Sequence, residues 1–403
     1  MSFYLAGTVY LVTIHHVVCL HRNLSLSVLC DQHQVPSQHF CNLFTQKVVS
    51  RKLCPYTGIL GLLKLFTGHS VPQRTLGGSS ATDGVVPSLN FSYILRLLDR
   101  GQNDIVSNYP PRSLASDFDR RHFLLVCVWV RNQAFLVNDF IAHHLVEGVS
   151  HFVFNNDESS DNIKLLLEPW QEVGVVNVIQ TKHRLSQSEF YDKCYKDYSG
   201  KYSWITFLDV DERFVSYSES SLMNVLQRYE RNGGVSFNWR LYEEPYTVVH
   251  NSDKHYIPLE AVSYKLGKYH PIVKTFAVVS KISGCAHNMP HCASFHAGFF
   301  ATDDKHNKME RPCWLRRSHS FSTVGEILHF RAPTLFDGLA KGCRDFNRAD
   351  LEEHRNETWL LGWCHDKVQA FCSSKPSSQL LPNNKKLRIV VDEIKKILYH
   401  SQT

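Results

Sequence analysis

Trp204-Ile205-Thr206-Phe207-Leu208-Asp209-Val210-Asp211-Glu212-Arg213-Phe214 is the stretch on which the reading of this chain turns. A short, mostly apolar run ends abruptly in three carboxylates. Runs of that length and composition read as buried strands of a parallel sheet. Carboxylates at the carboxyl end of such a strand stand where open α/β sheets bind their ligands. Alternation along an extended segment predicts that Asp209 and Asp211 point to the same side. Two carboxylates so placed bind a hard divalent cation, Mn2+ or Mg2+, directly or through water. A D-x-D pair on a solvated loop is common and means little alone. At the end of a buried strand it weighs more, because carboxylates gathered there are costly without a cation.

The pattern holds upstream. Residues 123–130 form a continuous apolar run rich in Val and Leu, expected as a buried strand. Residues 134–147 carry Phe135, Leu136, Phe140, Ile141 and Leu145 at helical spacing, with Gly148 as a stop. Further strands are expected over 151–155 and 175–179, with a helix from 163 interrupted near Pro169. Ser186 and Glu189 form a capping box for a helix that runs to about Tyr198. After the acidic stretch, a helix over 221–229 and a strand over 235–238 follow. Alternating strands and helices give an α/β fold, a Rossmann-like and mostly parallel sheet flanked by helices. That fold brings three polar loops together: Arg131-Asn132, 155–161, and 209–212. Asp161 is expected to cap the next helix. Asp157, with Arg131, Asn132 and Asp209, is a candidate contact for a nucleotide.

Several classes drop out. No G-x-G-x-x-G follows the first strand, Gly200-Lys201 precedes a strand rather than a helix, and no G-x-S-x-G occurs. The formal net charge is +6, spread along the chain, with no basic run beyond Lys385-Lys386-Leu387-Arg388, so no nucleic-acid partner is expected. A mild positive balance suits a substrate that carries a diphosphate. Among 12 cysteines none has C-x-x-C spacing. Cys127 reads as a small buried hydrophobe, and Cys285 with Cys292 or Cys364 with Cys372 are possible pairs in an oxidising compartment. Cys285, His287, His291 and Cys292 lie too close in sequence for the two separated ligand pairs of a structural zinc site. His287 or His329 is a candidate to reach the diphosphate or to complete a metal shell beside Asp209 and Asp211.

The first 20 residues admit three readings. Residues 3–20 contain no Lys, Arg, Asp or Glu, yet the run is short of the roughly 20 apolar residues of a spanning helix. It is a weak signal-anchor, a buried element, or a start outside the functional protein. Arg22, Lys47, Arg51 and Lys52 would hold the downstream side in the cytoplasm, the wrong way round for a lumenal enzyme. Sequons at Asn23, Asn90 and Asn356 are compatible with a secretory route. The expected organisation is an N-terminal region over 1–110, a core domain over 120–345, and a C-terminal extension over 346–403 that ends in an amphipathic helix.

The core resembles glycosyltransferase family 92 and its family-2 relatives. The resemblance rests on Arg131-Asn132-Gln133, the helix segment from Asp139 to Val149, the loop from Asn155 to Asp161, and Trp204 to Phe214. It continues through Trp239-Arg240-Leu241-Tyr242, Lys274 followed by His287, and His329-Phe330-Arg331 with Lys341. It departs at Gln133, where the family has Glu, at Asp139-Phe140, where it has Glu-Trp, and after Tyr242, where a Gly is missing. The resemblance implies a GT-A fold and transfer of a hexose, often galactose, from a UDP-sugar to a glycan acceptor, with inversion and a divalent metal. It also implies a membrane, Golgi or secretory location; a cytoplasmic one is the alternative. Inversion needs a base for the acceptor hydroxyl, and Glu243 and Glu244 are the candidates. Two other readings stand beside this one: a metal-dependent nucleotidyltransferase, and a glycan-binding protein that kept the fold without turnover.

Overall fold

The apolar run Leu124–Val130 forms β1, a strand inside a sheet, buried throughout except at Trp129. The computed structural model describes chiefly residues 40–46, 89–100, 122–159, 161–179, 185–217, 222–242, 257–261, 268–285, 291–309, 324–331, 357–373 and 385–398. These fall into two compact units. One holds the described residues of 79–242, 255–330 and 379–403, the other those of 1–78, 243–254 and 331–378.

In the first unit, β1 pairs in parallel with β2 (His151–Asn156) on one edge and β4 (Trp204–Asp209) on the other. β3 (Val176–Ile179) extends the sheet beyond β2. Past β4 lie β7 (Lys268–Val278), β6 (Gly233–Leu241), β11 (Gly325–His329) and β5 (Glu212–Ser216), in that order, and the short β10 (Phe300–Thr302) pairs β6. β7 is antiparallel to both β4 and β6, and β5 is antiparallel to β11; every other described pairing in the sheet is parallel. The expected mostly parallel α/β sheet is therefore present, with β7 as an unforeseen antiparallel insertion. A separate ribbon joins β8 (Ile282–Cys285) to β9 (Ala293–Phe295).

The helices follow from their sequences. After α1 (Phe91–Arg100), which Asn90 caps by accepting the Tyr93 N–H at 3.0 Å, comes α2 (Ala134–Glu147), buried almost all round. Gly148 ends it at φ 101°, a left-handed conformation that costs glycine least. α3 (Ile163–Glu172) runs through Pro169 instead of breaking there. Trp170 explains this: it is wholly buried, and its indole N–H donates to Asn138 Oδ1 at 2.9 Å, fixing the last turn. α4 (Gln187–Tyr198) opens with the expected Ser186/Glu189 capping box. α5 (Leu222–Gln227) follows β5, and α7 (Lys385–Leu398), numbered after α6 below, lays its apolar side against α2.

α2 also closes the open edge of the sheet. β5 is the last strand of the described path, and an unpaired edge exposes backbone groups. Here His143 Nε2 donates to the Phe214 carbonyl at 2.7 Å and the Phe214 N–H donates to His144 Nε2 at 3.3 Å. His144 Nδ1 in turn bonds the Phe140 carbonyl at 2.9 Å, so His144 is neutral with its proton on Nδ1. Burial, then His143 and Arg213, hold its pKa well below the ordinary histidine value.

Cysteine pairing differs from expectation. Cys127 is not a plain hydrophobe: it bridges to Cys194 and ties β1 to α4. Cys292 is disulfide-bonded, but not to Cys285, whose thiol donates to the Cys292 carbonyl at 3.7 Å. In the second unit, Cys364 on α6 (Glu357–Ser373) pairs with Cys41 rather than Cys372. Local spacing pointed to the nearer partner; the fold brings the distant ones together. No helix among the described residues is long and apolar enough to cross a membrane. The N-terminal 20 residues lie outside the described residues.

Candidate active site

The strand order places the site. β2 and β3 lie on one side of β1 and β4 on the other, so the chain changes direction between β1 and β4. Ligands of open α/β sheets bind outside the carboxyl ends at such a switch point. Asp209 stands there, in register with Trp129 at the end of β1. The three expected loops leave this end side by side.

The acidic segment is a turn, not an extended strand. β4 stops at Asp209 and β5 starts at Glu212, with Val210 and Asp211 between them. Strand alternation therefore does not carry Asp209 and Asp211 to one side, as expected; the tight turn sets them instead. Glu212 closes it, its Oε2 accepting the Asp209 N–H at 2.9 Å. Arg213 clamps it from below: Nη1 donates to the Val210 carbonyl at 2.7 Å and the Glu212 carbonyl at 2.9 Å. Its Nε and Nη2 reach Asp139 Oδ2 on α2 at 2.7 and 2.6 Å, with both side chains buried. Asp139, at the departure from the family's Glu, thus anchors the turn.

Asp209 accepts from Gln187 Nε2 at 2.8 Å on Oδ1 and from Lys274 Nζ at 3.0 Å on Oδ2. Gln187 opens α4, and its amide also donates to Tyr191 OH at 3.1 Å. Lys274, on β7, is fully buried and reaches Glu212 Oε2 at 3.2 Å as well. Burial, the largest influence, raises the Asp209 pKa, but the charge and hydrogen bond of Lys274, together with His291, hold the carboxyl below its ordinary value. Glu212 goes the other way, pushed well up by burial and by Asp209 and Asp211 despite Lys274. Asp211 faces His329, whose Nε2 lies 3.4 Å from Oδ1, and its carbonyl accepts the Phe330 N–H at 2.8 Å.

Behind the turn, Trp239 is ringed by histidines. Its ring centroid lies 4.4 Å from that of His329, 5.1 Å from His291 and 5.9 Å from His270. A bulge between Asn238 and Trp239 shifts the register of β6 against β7 here. Burial and Lys274 lower the His291 pKa to about 3, so this imidazole is neutral. Glu212 Oε1, Trp239 Nε1 and His291 Nδ1 are buried without a hydrogen-bond partner. An unsatisfied buried polar atom costs about 1–3 kcal/mol.

On the other side of β1, Arg131 and Asp157 pair at 3.5 Å, and Asp157 is buried. Asn132 sits at φ 52°, a left-handed conformation that asparagine tolerates, and its N–H donates to Ser159 Oγ at 3.0 Å. Asp161 caps two helices: Oδ2 accepts the Ala134 N–H at 2.8 Å and Oδ1 the Ile163 N–H at 3.3 Å.

The structure thus sets Arg131, Asn132, Asp157, Asp209 and Asp211 at the carboxyl ends of the neighbouring strands β1, β2 and β4. Glu243, Glu244 and His287 lie outside the described residues. No group of three or more His, Cys, Asp or Glu among the described residues is already arranged to hold a metal. The donor types still fit one: carboxylates at Asp209 and Asp211 and imidazoles at His329 and His291 suit a divalent cation. Sequence reasoning missed Gln187, Lys274 as a partner of the acidic turn, and Trp239 as its wall. A lysine within a strand-like, β-branched stretch was the available signal for Lys274.

Among solved structures the chain is similar to S. aureus TarS 1-349 in complex with UDP, at 14% identity over 30% of this chain and 36% of that one, with a TM-score of 0.24. TarS 1-349 in complex with UDP-GlcNAc gives 13% identity, 30% and 34% coverage, and 0.24. TarS 1-349 alone gives 10% identity, 69% and 81% coverage, and 0.27. The chain spans about a third of the two nucleotide complexes, and at these scores the likeness carries no argument about this chain. No curated protein matches the chain. The sequence decides the matter: from the start of β1 through β11 and into α6, residues 122–360 match the profile of glycosyltransferase family 92, and the chain belongs to that family.

Proposed function

We propose that this glycosyltransferase moves a hexose, galactose being the first to test, from a UDP-sugar to a hydroxyl of a glycan acceptor, with inversion and with Mn2+ or Mg2+. The observation that carries this reading is the turn 209–212 at the switch point, with Asp209 and Asp211 at the carboxyl end of a buried strand. Asp211 and His329 would hold the cation, with Asp209 and His291 at its edge. When bound, the cation supplies charge neutralisation to the diphosphate that leaves. Arg131, Asn132 and Asp157, on the loops beside β1, would orient the nucleotide. The acceptor oxygen attacks C1, the C1–O bond to the diphosphate breaks, and the acceptor proton passes to a carboxylate, Glu243 or Glu244. Attack from the face opposite the leaving group inverts C1.

The bridges Cys41–Cys364 and Cys127–Cys194 support an oxidising compartment, and with it a secretory or Golgi membrane location. Calorimetry tests the binding half of the proposal. The full chain should bind UDP with Mn2+ present and lose most of that affinity with the metal chelated. Equal UDP affinity with and without metal would remove the cation from the proposal; no affinity for any nucleoside diphosphate would remove the donor.

A further inference from the structure

Lys274 is an unusual neighbour for a D-x-D turn. Its ammonium is fully buried and touches two carboxylates, Asp209 Oδ2 at 3.0 Å and Glu212 Oε2 at 3.2 Å. Strand pairing fixes its position: Thr206 on β4 pairs Phe276 on β7, and continuing that antiparallel register sets Lys274 level with Leu208, one residue short of the carboxyl end of β4. A buried ammonium that loses its partners is left an uncompensated charge, so the pairing persists. The other oxygen of Asp209 is taken as well, by Gln187 at 2.8 Å. Asp211 sits on the far limb of the turn and faces His329 instead. The two aspartates of one motif therefore meet different partners: a resident positive charge for the first, an imidazole for the second.

We infer that Lys274 is a positioning residue that withholds Asp209 from a divalent cation in the unliganded enzyme, so that a cation arriving alone is held from the Asp211 side. This rests on the metal-dependent reading given above. A merely supporting role for Lys274 would carry the opposite sign. Removing an outer-shell partner that supports a metal ligand weakens metal binding about 10–100-fold. Removing a resident competitor strengthens it, because a cation then meets Asp209 without displacing an ammonium and without its repulsion.

The test is a Mn2+ titration of the full chain, read by the electron paramagnetic resonance signal of the unbound ion, without nucleotide and again with UDP in excess. Without UDP, Lys274→Met should bind Mn2+ more tightly than wild type, and Lys274→Arg should behave as wild type. Asp209→Asn should leave affinity almost unchanged, while Asp211→Asn should lower it about tenfold or more. Weaker Mn2+ binding in Lys274→Met overturns the inference. So does an Asp209→Asn loss equal to that of Asp211→Asn, and this isosteric pair decides the matter if Lys274→Met fails to fold. Either contrary pattern, with wild type that does bind Mn2+, overturns this inference alone. Wild type that binds no Mn2+ even with UDP overturns the metal-dependent reading and this inference together.

Discussion

Arg213 shows how one residue ties the chemistry to the scaffold. Its guanidinium holds two carbonyls of the acidic turn and one carboxylate of α2, all within 3.0 Å and shielded from water. Breaking a buried pair from one side leaves a bare charge and costs about 3–5 kcal/mol. Asp139→Asn should therefore lower stability by about that amount in urea denaturation and weaken UDP binding in parallel. A change under about 1 kcal/mol would mean that the pair is not what anchors the turn. At this scale the sequence was partly legible. Asp209 and Asp211 stood out because carboxylates rarely end an apolar strand. Lys274 and Gln187 did not, because what gives them meaning is a contact made only in the folded sheet. Asp139 read as a departure from the family pattern, although its carboxylate still makes the buried contact that matters here.

Among the elements, those with one clear period were legible. α2 occupies the expected span, and β1, β2 and β4 stand where continuous apolar runs placed them. β7 was not legible as one strand, since His270, Pro271 and Lys274 interrupt the β-branched and apolar residues of Lys268–Val278. Its polar residues are affordable because Lys274 is paired and the bulge relaxes the ladder near Pro271. Nor was α4 legible as a wall of the site, though its cap was. The Cys127–Cys194 bridge fixes this helix to β1 across 67 residues of sequence. Closing a loop of that length is worth about 4 kcal/mol in the chain-entropy account. Cys194→Ala should destabilise the protein on that scale in urea denaturation of the oxidised chain. Reduction should lower wild-type stability at least as far, since it opens the bridges at Cys41–Cys364 and Cys292 as well; if reduction leaves wild-type stability unchanged, the bridge contributes nothing.

For the whole molecule, buried histidines set a pH response. His151 is pushed down to about 4 by burial, from an ordinary 6.5. Above pH 6.5 both folded and unfolded chains keep it neutral, and it has no effect. Between 6.5 and about 4 the unfolded chain takes up a proton that the native one refuses, so stability falls by up to about 1.4 kcal/mol per pH unit as the solution is acidified. His144 acts with the same sign. Glu212, whose pKa is raised, has the opposite sign: its contribution is present below its ordinary 4.5 and is lost as pH rises. The difference between wild type and His151→Gln isolates the histidine, and the variant should show the shallower acid loss. An identical pH profile would contradict the burial argument.

At the same scale, family membership supports the proposed glycosyl transfer, while donor, acceptor and metal are what the site must answer for. The most direct measurement is release of nucleoside diphosphate from UDP-, GDP- and ADP-sugars, with mixed glycan acceptors, with and without Mn2+, for wild type and Asp211→Asn. The account predicts Mn2+-dependent release from a UDP-hexose that the variant loses. Release that ignores both the metal and the Asp211 substitution, or no release from any donor, would contradict it.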